Sequence, residues 1–227
     1  RATRHVRKLQ RGVLAGNRFN LVIRNWRGDR DKTSAQLSAI KASGIANYFG
    51  EQRFGYQGRN IDQVLGLFRG NRVSREMRSI YLSAARAFLF NQVLAARVTA
   101  KNWNRPLPGD VYMLDRSHSR FRVEVPDRMI AERVQAGEIH PTGVLWGEGD
   151  SGVSDVVLAL EAEVVRRFSE LADGLRSSGI EMERRPLRVG VSDLDWRFSD
   201  EQLNLRFSLP AGSYATALLR EIIDWNE

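Results

Sequence analysis

Gly44-Ile45-Ala46-Asn47-Tyr48-Phe49-Gly50-Glu51-Gln52-Arg53-Phe54-Gly55-Tyr56-Gln57-Gly58 is the stretch around which the rest of the chain can be ordered. It combines four glycines and four aromatic residues with three polar side chains that can bond a phosphate or a base, namely Asn47, Gln52 and Arg53. Glycine lowers helix stability, and the aromatic spacing fits neither the helical nor the strand period. We therefore predict a shaped loop. The alternative is a turn whose aromatic side chains only fill the core.

The composition indicates an anionic partner. The 227 residues include 35 Lys and Arg against 27 Asp and Glu, which gives a formal net charge of +8. Most of the basic residues are arginine, whose planar fork pairs with phosphate and stacks on bases. Nucleic acid is therefore the leading candidate partner. The alternative is an arginine-rich chain whose charge has no such role.

Several classes of site are excluded or disfavoured. Cysteine is absent, so the chain has no disulfide, thiolate metal site or cysteine nucleophile. The three histidines, His5, His118 and His140, lack metal-ligand spacing, and we expect no metal. No apolar run reaches the ~18 residues that would span a membrane. The first residues include no initiator Met and no signal core, which predicts a processed or partial chain.

Strands are predicted mainly at the two ends of the chain and helices mainly in the middle. Alternating apolar residues predict strands from residue 19 and within 187–191, 194–198 and 203–209, with short strands also at 111–114 and 121–125. Helical spacing predicts helices at about 32–43, 60–69, 74–100, 129–136 and 154–177, and a last helix from Ser213. Thr33 or Ser34 is the predicted cap of the first helix. Asn91 lies on the apolar stripe of the longest helix, as either a satisfied buried amide or a site residue.

Four segments carry a family resemblance. Residues 47–55, Asn-Tyr-Phe-Gly-Glu-Gln-Arg-Phe-Gly, resemble the signature of the TruD family of transfer-RNA pseudouridine synthases. Residues 7–19 resemble the family's basic segment and its Gly-Asn-x-Phe motif, and residues 82–91 resemble its Leu-Ser-Ala-Ala-Arg helix. Residues 209–216 resemble its C-terminal Leu-Pro-Ala-Gly-Ser motif, in which the next aromatic residue is more often Phe than Tyr. The segments follow the family's order over essentially the whole chain.

The resemblance implies an α+β fold and a specific reaction. The fold would be a pseudouridine synthase catalytic domain with a mixed sheet, incomplete here, and a helix-rich TruD insertion domain. Residues 1–43 and 188–227 would be parts of the catalytic domain, and residues 44–187 would be the insertion. The family isomerises uridine to pseudouridine in transfer RNA, at position thirteen in bacteria, without metal or cofactor. The implied location is the cytoplasm, with transfer RNA as partner and no obligate protein partner.

The resemblance also implies site residues. Asn17, Phe19 and Tyr214 would form the substrate site. Asn17 would hydrogen-bond near the catalytic aspartate or the target nucleotide, and the two aromatic rings would be walls against the uracil or ribose; the alternative for those rings is core packing. The candidates for phosphate contacts are Arg7, Lys8, Arg11, Arg53 and Arg86. For Arg53 and Arg86, a bracing role is the alternative.

The chain departs from the family pattern at the catalytic centre. The family's catalytic aspartate belongs to a Gly-x-Lys-Asp motif upstream of the basic segment, and no such motif occurs in this sequence. The resemblance therefore implies that this aspartate lies upstream of Arg1, and we assign no catalytic residue in this chain. Two hypotheses follow: an RNA-modifying isomerase represented by part of its chain, or a module that binds structured RNA without chemistry.

Overall fold

The computed structural model describes residues 15–117 and 119–223. Within this part, the helices are α1 (Arg30–Ser43), α2 (Arg59–Phe68), α3 (Arg75–Thr99), α4 (Arg128–Ala136), α5 (Asp155–Arg167), α6 (Ser169–Ser177) and α7 (Ala215–Leu219). The strands are β1 (Gly16–Ile23), β2 (Ile45–Ala46), β3 (Val111–Leu114), β4 (Arg120–Arg122), β5 (Ile139–Leu145), β6 (Glu183–Pro186), β7 (Arg188–Val189), β8 (Ser192–Ser199) and β9 (Gln202–Pro210). The α+β class predicted from the sequence is confirmed.

The two ends of the described chain form one three-stranded sheet in the order β1-β9-β8. Phe19 pairs with Phe207 and Ile23 with Leu203, so the alternating residues predicted for both strands share one face. That face packs against Leu37 and Ile40 of α1 and against α7. In the described residues, all ladders between named strands are antiparallel. The mixed sheet was predicted for a catalytic domain of which these residues would be only part, and it remains a prediction. The tight β8–β9 hairpin requires the antiparallel direction for that pair.

Helices and a second sheet form the middle of the chain. A four-stranded sheet has the order β4-β3-β5-β6. Helices α2, α3 and α6 enclose a separate apolar cluster around Val64, Leu89 and Leu175. Across the described residues, no helix is both long and apolar enough to cross a membrane.

A short ladder joins the segments that lead into and out of this middle region. In it, Ile45 pairs with Val189 and Ala46 with Arg188. The pairing lies at both ends of the predicted 44–187 insertion, which remains a prediction. The strand predicted at 187–191 has the wrong bounds, since β7 covers only Arg188–Val189. Leu187 lies between β6 and β7, and its amide donates to the carbonyl of Pro141 at 2.8 Å.

Several predicted helix bounds also need correction. Asp29, rather than Thr33 or Ser34, caps α1, because its carboxylate accepts from the amides of Asp31 and Lys32 at 2.9 and 3.0 Å. The cap position before α7 is Tyr214 rather than Ser213. The helix predicted at 154–177 is two helices that meet at Phe168, whose φ of −124° and ψ of 41° are not helical.

Gly44 ends α1 and opens the signature stretch, and its backbone is unsuited to any other residue. Its φ is +73°, and a Cβ built there would lie 2.4 Å from the carbonyl oxygen of Val189. We predict that Gly44→Ala lowers the free energy of unfolding by at least about 2 kcal/mol, because backbone strain and a backbone clash add together. Chemical denaturation would measure the loss. Gly58→Ala is the matched control, since Gly58 has a φ of +75° and no atom within 4 Å of its Cβ position; equal losses would contradict the role of the clash.

Candidate functional site

The residues predicted to bind the nucleotide lie towards one end of the three-stranded sheet. Asn17 pairs with Leu209 near that end, and Phe19 follows two residues later on the same face. The Phe19 ring is half-buried and stacks on Phe207 with 5.1 Å between ring centroids. Asn17 is exposed, and its side chain makes no hydrogen bond to any described residue. An amide and an aromatic ring are therefore available on one strand.

Tyr214 reaches the same region from the end of β9. A turn after Pro210, in which the Ser213 amide donates to the Pro210 carbonyl at 3.2 Å, leads to it. The half-buried Tyr214 ring packs against the cluster that also contacts Phe19. The structure thus places Asn17, Phe19 and Tyr214 around one end of the sheet. Their binding of a nucleotide remains a prediction, and both rings also contribute to core packing.

The signature stretch packs beside Tyr214. It consists of β2 and two turns of 3₁₀-helix, at Glu51–Phe54 and Tyr56–Gly58. The prediction of a shaped loop is correct, but Tyr48, Phe49 and Phe54 also pack in the core, as the alternative held, whereas Tyr56 is exposed. Phe49 is buried and contacts Phe90 of α3 edge-on at 5.5 Å between centroids.

Asn91 fixes this loop to α3. Its carbonyl oxygen accepts from the Phe49 amide, and its Nδ2 donates to the Phe49 carbonyl, both at 3.0 Å. Of the two interpretations of Asn91, the satisfied amide matches these contacts. Asn47 is similarly occupied, because its buried amide donates to the Pro186 carbonyl at 2.9 Å.

Arg53 links the loop to both α3 and Tyr214. Its Nη2 and Nε donate to the Tyr214 hydroxyl at 2.9 and 3.3 Å, and its Nη1 donates to Ser83 Oγ at 3.1 Å. Gly50 lies under the same ring, since a Cβ built there would meet Thr216 Oγ1 at 2.9 Å and Tyr214 Cδ1 at 3.1 Å. Arg53 therefore braces the Tyr214 side chain. A phosphate contact by Arg53 remains a prediction.

Arg86, a further predicted phosphate contact, is held by the protein itself. Its Nη2 donates to the carbonyls of Leu145 and Glu181 at 3.1 and 3.0 Å, and Glu183 lies 3.7 Å away. Burial lowers the pKa of Arg86, and Glu183 opposes that shift. Arg86 thus has a bracing role here, and its phosphate role is untested.

The remaining calls at the start of the chain fall outside the described residues. They concern the phosphate candidates Arg7, Lys8 and Arg11, and Arg1, upstream of which the resemblance places the catalytic aspartate. The structure therefore tests neither the three phosphate contacts nor the position of that aspartate. Both stay predictions.

The sequence interpretation missed Arg185. Its Nη2 donates to Asn47 Oδ1 at 2.6 Å and to the Gly212 carbonyl at 3.0 Å. Its Cζ lies 4.2 Å from the centroid of the Phe49 ring. The only signal in the sequence was the Arg-Arg pair before Pro186, of which Arg184 forms a buried ion pair with Glu161 at 2.7 Å.

Both ring nitrogens of His140 have partners within the protein. Its Nδ1 accepts from Arg188 Nε, and its Nε2 faces Asp115 Oδ1, each at 3.0 Å. Burial lowers the pKa of His140, which favours the neutral ring that the Arg188 contact requires. Among the described residues, no three His, Asp or Glu side chains are grouped to hold a metal ion.

Comparison with known proteins decides the family. The model of the family "tRNA pseudouridine synthase D (TruD)" matches residues 1–68 and 70–222. The chain belongs to the TruD family. This TruD-family chain is 47% identical over 229 residues to tRNA pseudouridine synthase D of Methylococcus capsulatus, covering 100% of this chain and 65% of the relative. It is 48% identical over 228 residues to the protein of the same name from Nitrosococcus oceani, covering 99% and 64%.

A solved structure agrees on the fold of this TruD-family chain. A crystal structure of a protein described as tRNA pseudouridine synthase D, from Methanosarcina mazei, aligns with a TM-score of 0.70 and 19% identity. The alignment covers 93% of this chain and 69% of that one. The chain thus shares the TruD fold, and it spans about 65% of the length of the curated relatives that it matches.

Proposed function

We propose that the protein containing this chain isomerises uridine to pseudouridine in transfer RNA, at position thirteen as in its bacterial family. The observation that carries the proposal is the placement of Asn17, Phe19 and Tyr214 at one end of the sheet. The names of the relatives, tRNA pseudouridine synthase D, support the reaction class. The net charge of +8 supports a polyanionic substrate.

The site residues suit a base that has left its stack. Enzymes that act on a base within a folded nucleic acid extrude it into a pocket and stack it on aromatic side chains. Phe19 and Tyr214 would supply those rings, and the exposed Asn17 amide would supply donors and an acceptor for the base or ribose. No residue of this chain is assigned the role of the aspartate that acts on the ribose side of the glycosidic bond.

The proposed domains correspond to the three-stranded sheet and to the helical region with the four-stranded sheet. Residues 1–43 and 188–227 would carry part of the catalytic domain, and residues 44–187 would form the insertion that shapes one side of the RNA cleft. The β2–β7 ladder supports this division because it brings residues 45 and 189 together. Action on transfer RNA would place the protein in the cytoplasm.

The test uses the full-length protein and transfer RNA made by transcription. After digestion to nucleosides, chromatography separates pseudouridine from uridine. We expect about one pseudouridine per transfer RNA, lost when the target uridine is replaced by cytidine. Salt-dependent binding without product would instead favour the second hypothesis, a module that only binds RNA.

A further inference from the structure

Arg185 is a cation that is only partly hydrogen-bonded by its surroundings. Its Nε is buried and has no hydrogen-bond partner, and only its Nη2 has hydrogen-bond acceptors among the described residues. Both acceptors, Asn47 Oδ1 and the Gly212 carbonyl, are neutral. Burial lowers the pKa of Arg185 to about 10, the Tyr214 hydroxyl partly opposes this shift, and Arg53 adds to it. Arg185 therefore stays charged at neutral pH.

Arg53 places a second positive charge against the same aromatic ring. Its Cζ lies 5.6 Å from the centroid of Phe49, and the hydrogen bonds of its guanidinium to described residues go to the hydroxyls of Tyr214 and Ser83. Neither Arg53 nor Arg185 has an ion-pair partner among the described residues. Elsewhere in the described residues, two buried arginines are paired: Arg97 lies 3.0 Å from Asp110 and Arg184 lies 2.7 Å from Glu161. The buried Arg188 instead donates to neutral acceptors, the His140 ring and the Val134 carbonyl.

Two partly buried cations at one aromatic ring are costly when, as among the described residues, no anion pairs with them. A desolvated charge is tolerated when it is paired and hydrogen-bonded, and two like charges repel each other. An oxyanion near both guanidiniums would offset both effects and would accept from the Nη1 of Arg185, which has no acceptor among the described residues, whereas the Nε is enclosed by protein. The forked geometry of arginine favours a group with several oxygens, such as phosphate.

We propose that Arg185 and Arg53, beside Phe49, form a receptor for one phosphate group of the RNA backbone next to the target nucleotide. The location supports this source of phosphate. Arg185 is bonded to the carbonyl of Gly212, two residues before Tyr214, and Arg53 is bonded to the Tyr214 hydroxyl. A phosphate held there would fix the backbone beside the ring proposed to contact the flipped base. The inference rests on the proposed function for the identity of the RNA.

The first test measures the receptor without RNA or turnover. Thermal unfolding of the full-length protein is followed with inorganic phosphate and with sodium chloride at equal ionic strength. Phosphate stabilises proteins non-specifically, so the comparison between variants is decisive. We expect an extra rise of a few degrees in the wild type that Arg185→Gln loses. Arg166→Gln, which removes an exposed charge on α5, should keep it.

The second test measures the salt dependence of transfer RNA binding. Losing one phosphate contact should lower the slope of log affinity against log salt by roughly 0.7–0.9 and weaken binding roughly tenfold. Arg185→Gln should show both changes, and Arg166→Gln neither. If Arg185→Gln does not fold, Arg53→Gln should lose the phosphate effect instead.

Two results would overturn the proposal. Equal phosphate stabilisation in all variants would mean that the site holds no phosphate, as when a carboxylate of the same protein fills it. Weaker RNA binding with an unchanged salt slope would leave Arg185 a brace only. Neither measurement depends on pseudouridine formation, so either result can be separated from failure of the proposed reaction.

Discussion

Phe19→Ala in the full-length protein should reduce the rate of pseudouridine formation at least about 100-fold while the protein stays folded. Stacking of a base on an aromatic side chain contributes about 1–3 kcal/mol, and a misplaced base loses further rate through poor alignment. The half-buried ring stacks on Phe207, so some stability is also lost. Tritium released from transfer RNA labelled at carbon five of uridine would measure the rate.

Leu21→Ala is the matched control for this loss. Leu21 lies on the same strand and face as Phe19, packs against the same cluster and is also half-buried, but it pairs with Leu205, farther from the Pro210 turn. We expect Leu21→Ala to have a similar cost in stability and turnover within about threefold of wild type. Equal rates in both variants would remove Phe19 from the site and leave it a core residue.

Asp110→Ala should lower the free energy of unfolding by about 3–5 kcal/mol. Asp110 is completely buried, as is Arg97, whose Nη1 donates to it at 3.0 Å. The same carboxylate accepts from the Leu107 amide at 2.8 Å. Removing one partner leaves a buried, uncompensated charge, which is the costly way to break such a pair. Urea denaturation of the full-length protein would measure the change.

Two further variants separate the charge from other effects. Combining Asp110→Leu with Arg97→Met removes both charges and should be less destabilising than Asp110→Ala, because no unpaired ion remains. Asp173→Ala breaks an exposed pair with Arg176 at 4.0 Å and should change stability by less than about 0.5 kcal/mol. A double variant as unstable as Asp110→Ala would show that lost packing causes the effect.

Local sequence signals predicted most of the elements and failed where distant contacts decide. Phe168 continues the apolar stripe of its neighbours, so periodicity predicted one helix across it. At the break, the Phe168 ring meets Phe88 of α3 edge-on at 5.0 Å, a tertiary contact that the local periodicity does not contain. Asp29 lies in a polar segment that the sequence pattern indicates as a linker. Its capping role was missed because the helix was predicted to begin at about residue 32, two residues later than it does.

The candidate site shows the same limit. Asn17, Phe19 and Tyr214 could be named because each belongs to a family motif. Strand pairing places Asn17 and Phe19 towards one end of the sheet, and the turn after Pro210 leads from that end to Tyr214. Arg185 belongs to none of the motifs used. Its position depends on the contact between β6 and the signature stretch. In that contact Arg185 bonds to Asn47, which is 138 residues away from it in sequence. No local pattern contains that information.

The pairing of β1 with β9 has a consequence for synthesis on the ribosome. Phe19 and Phe207 are partners across the sheet although nearly the whole described chain lies between them. At ~5–20 residues per second, β1 waits on the order of ten seconds or more for its partner. The helical middle contains its own cores and can fold during that interval. The end of the sheet that carries Asn17 and Phe19 is thus completed only after the helical middle has been translated.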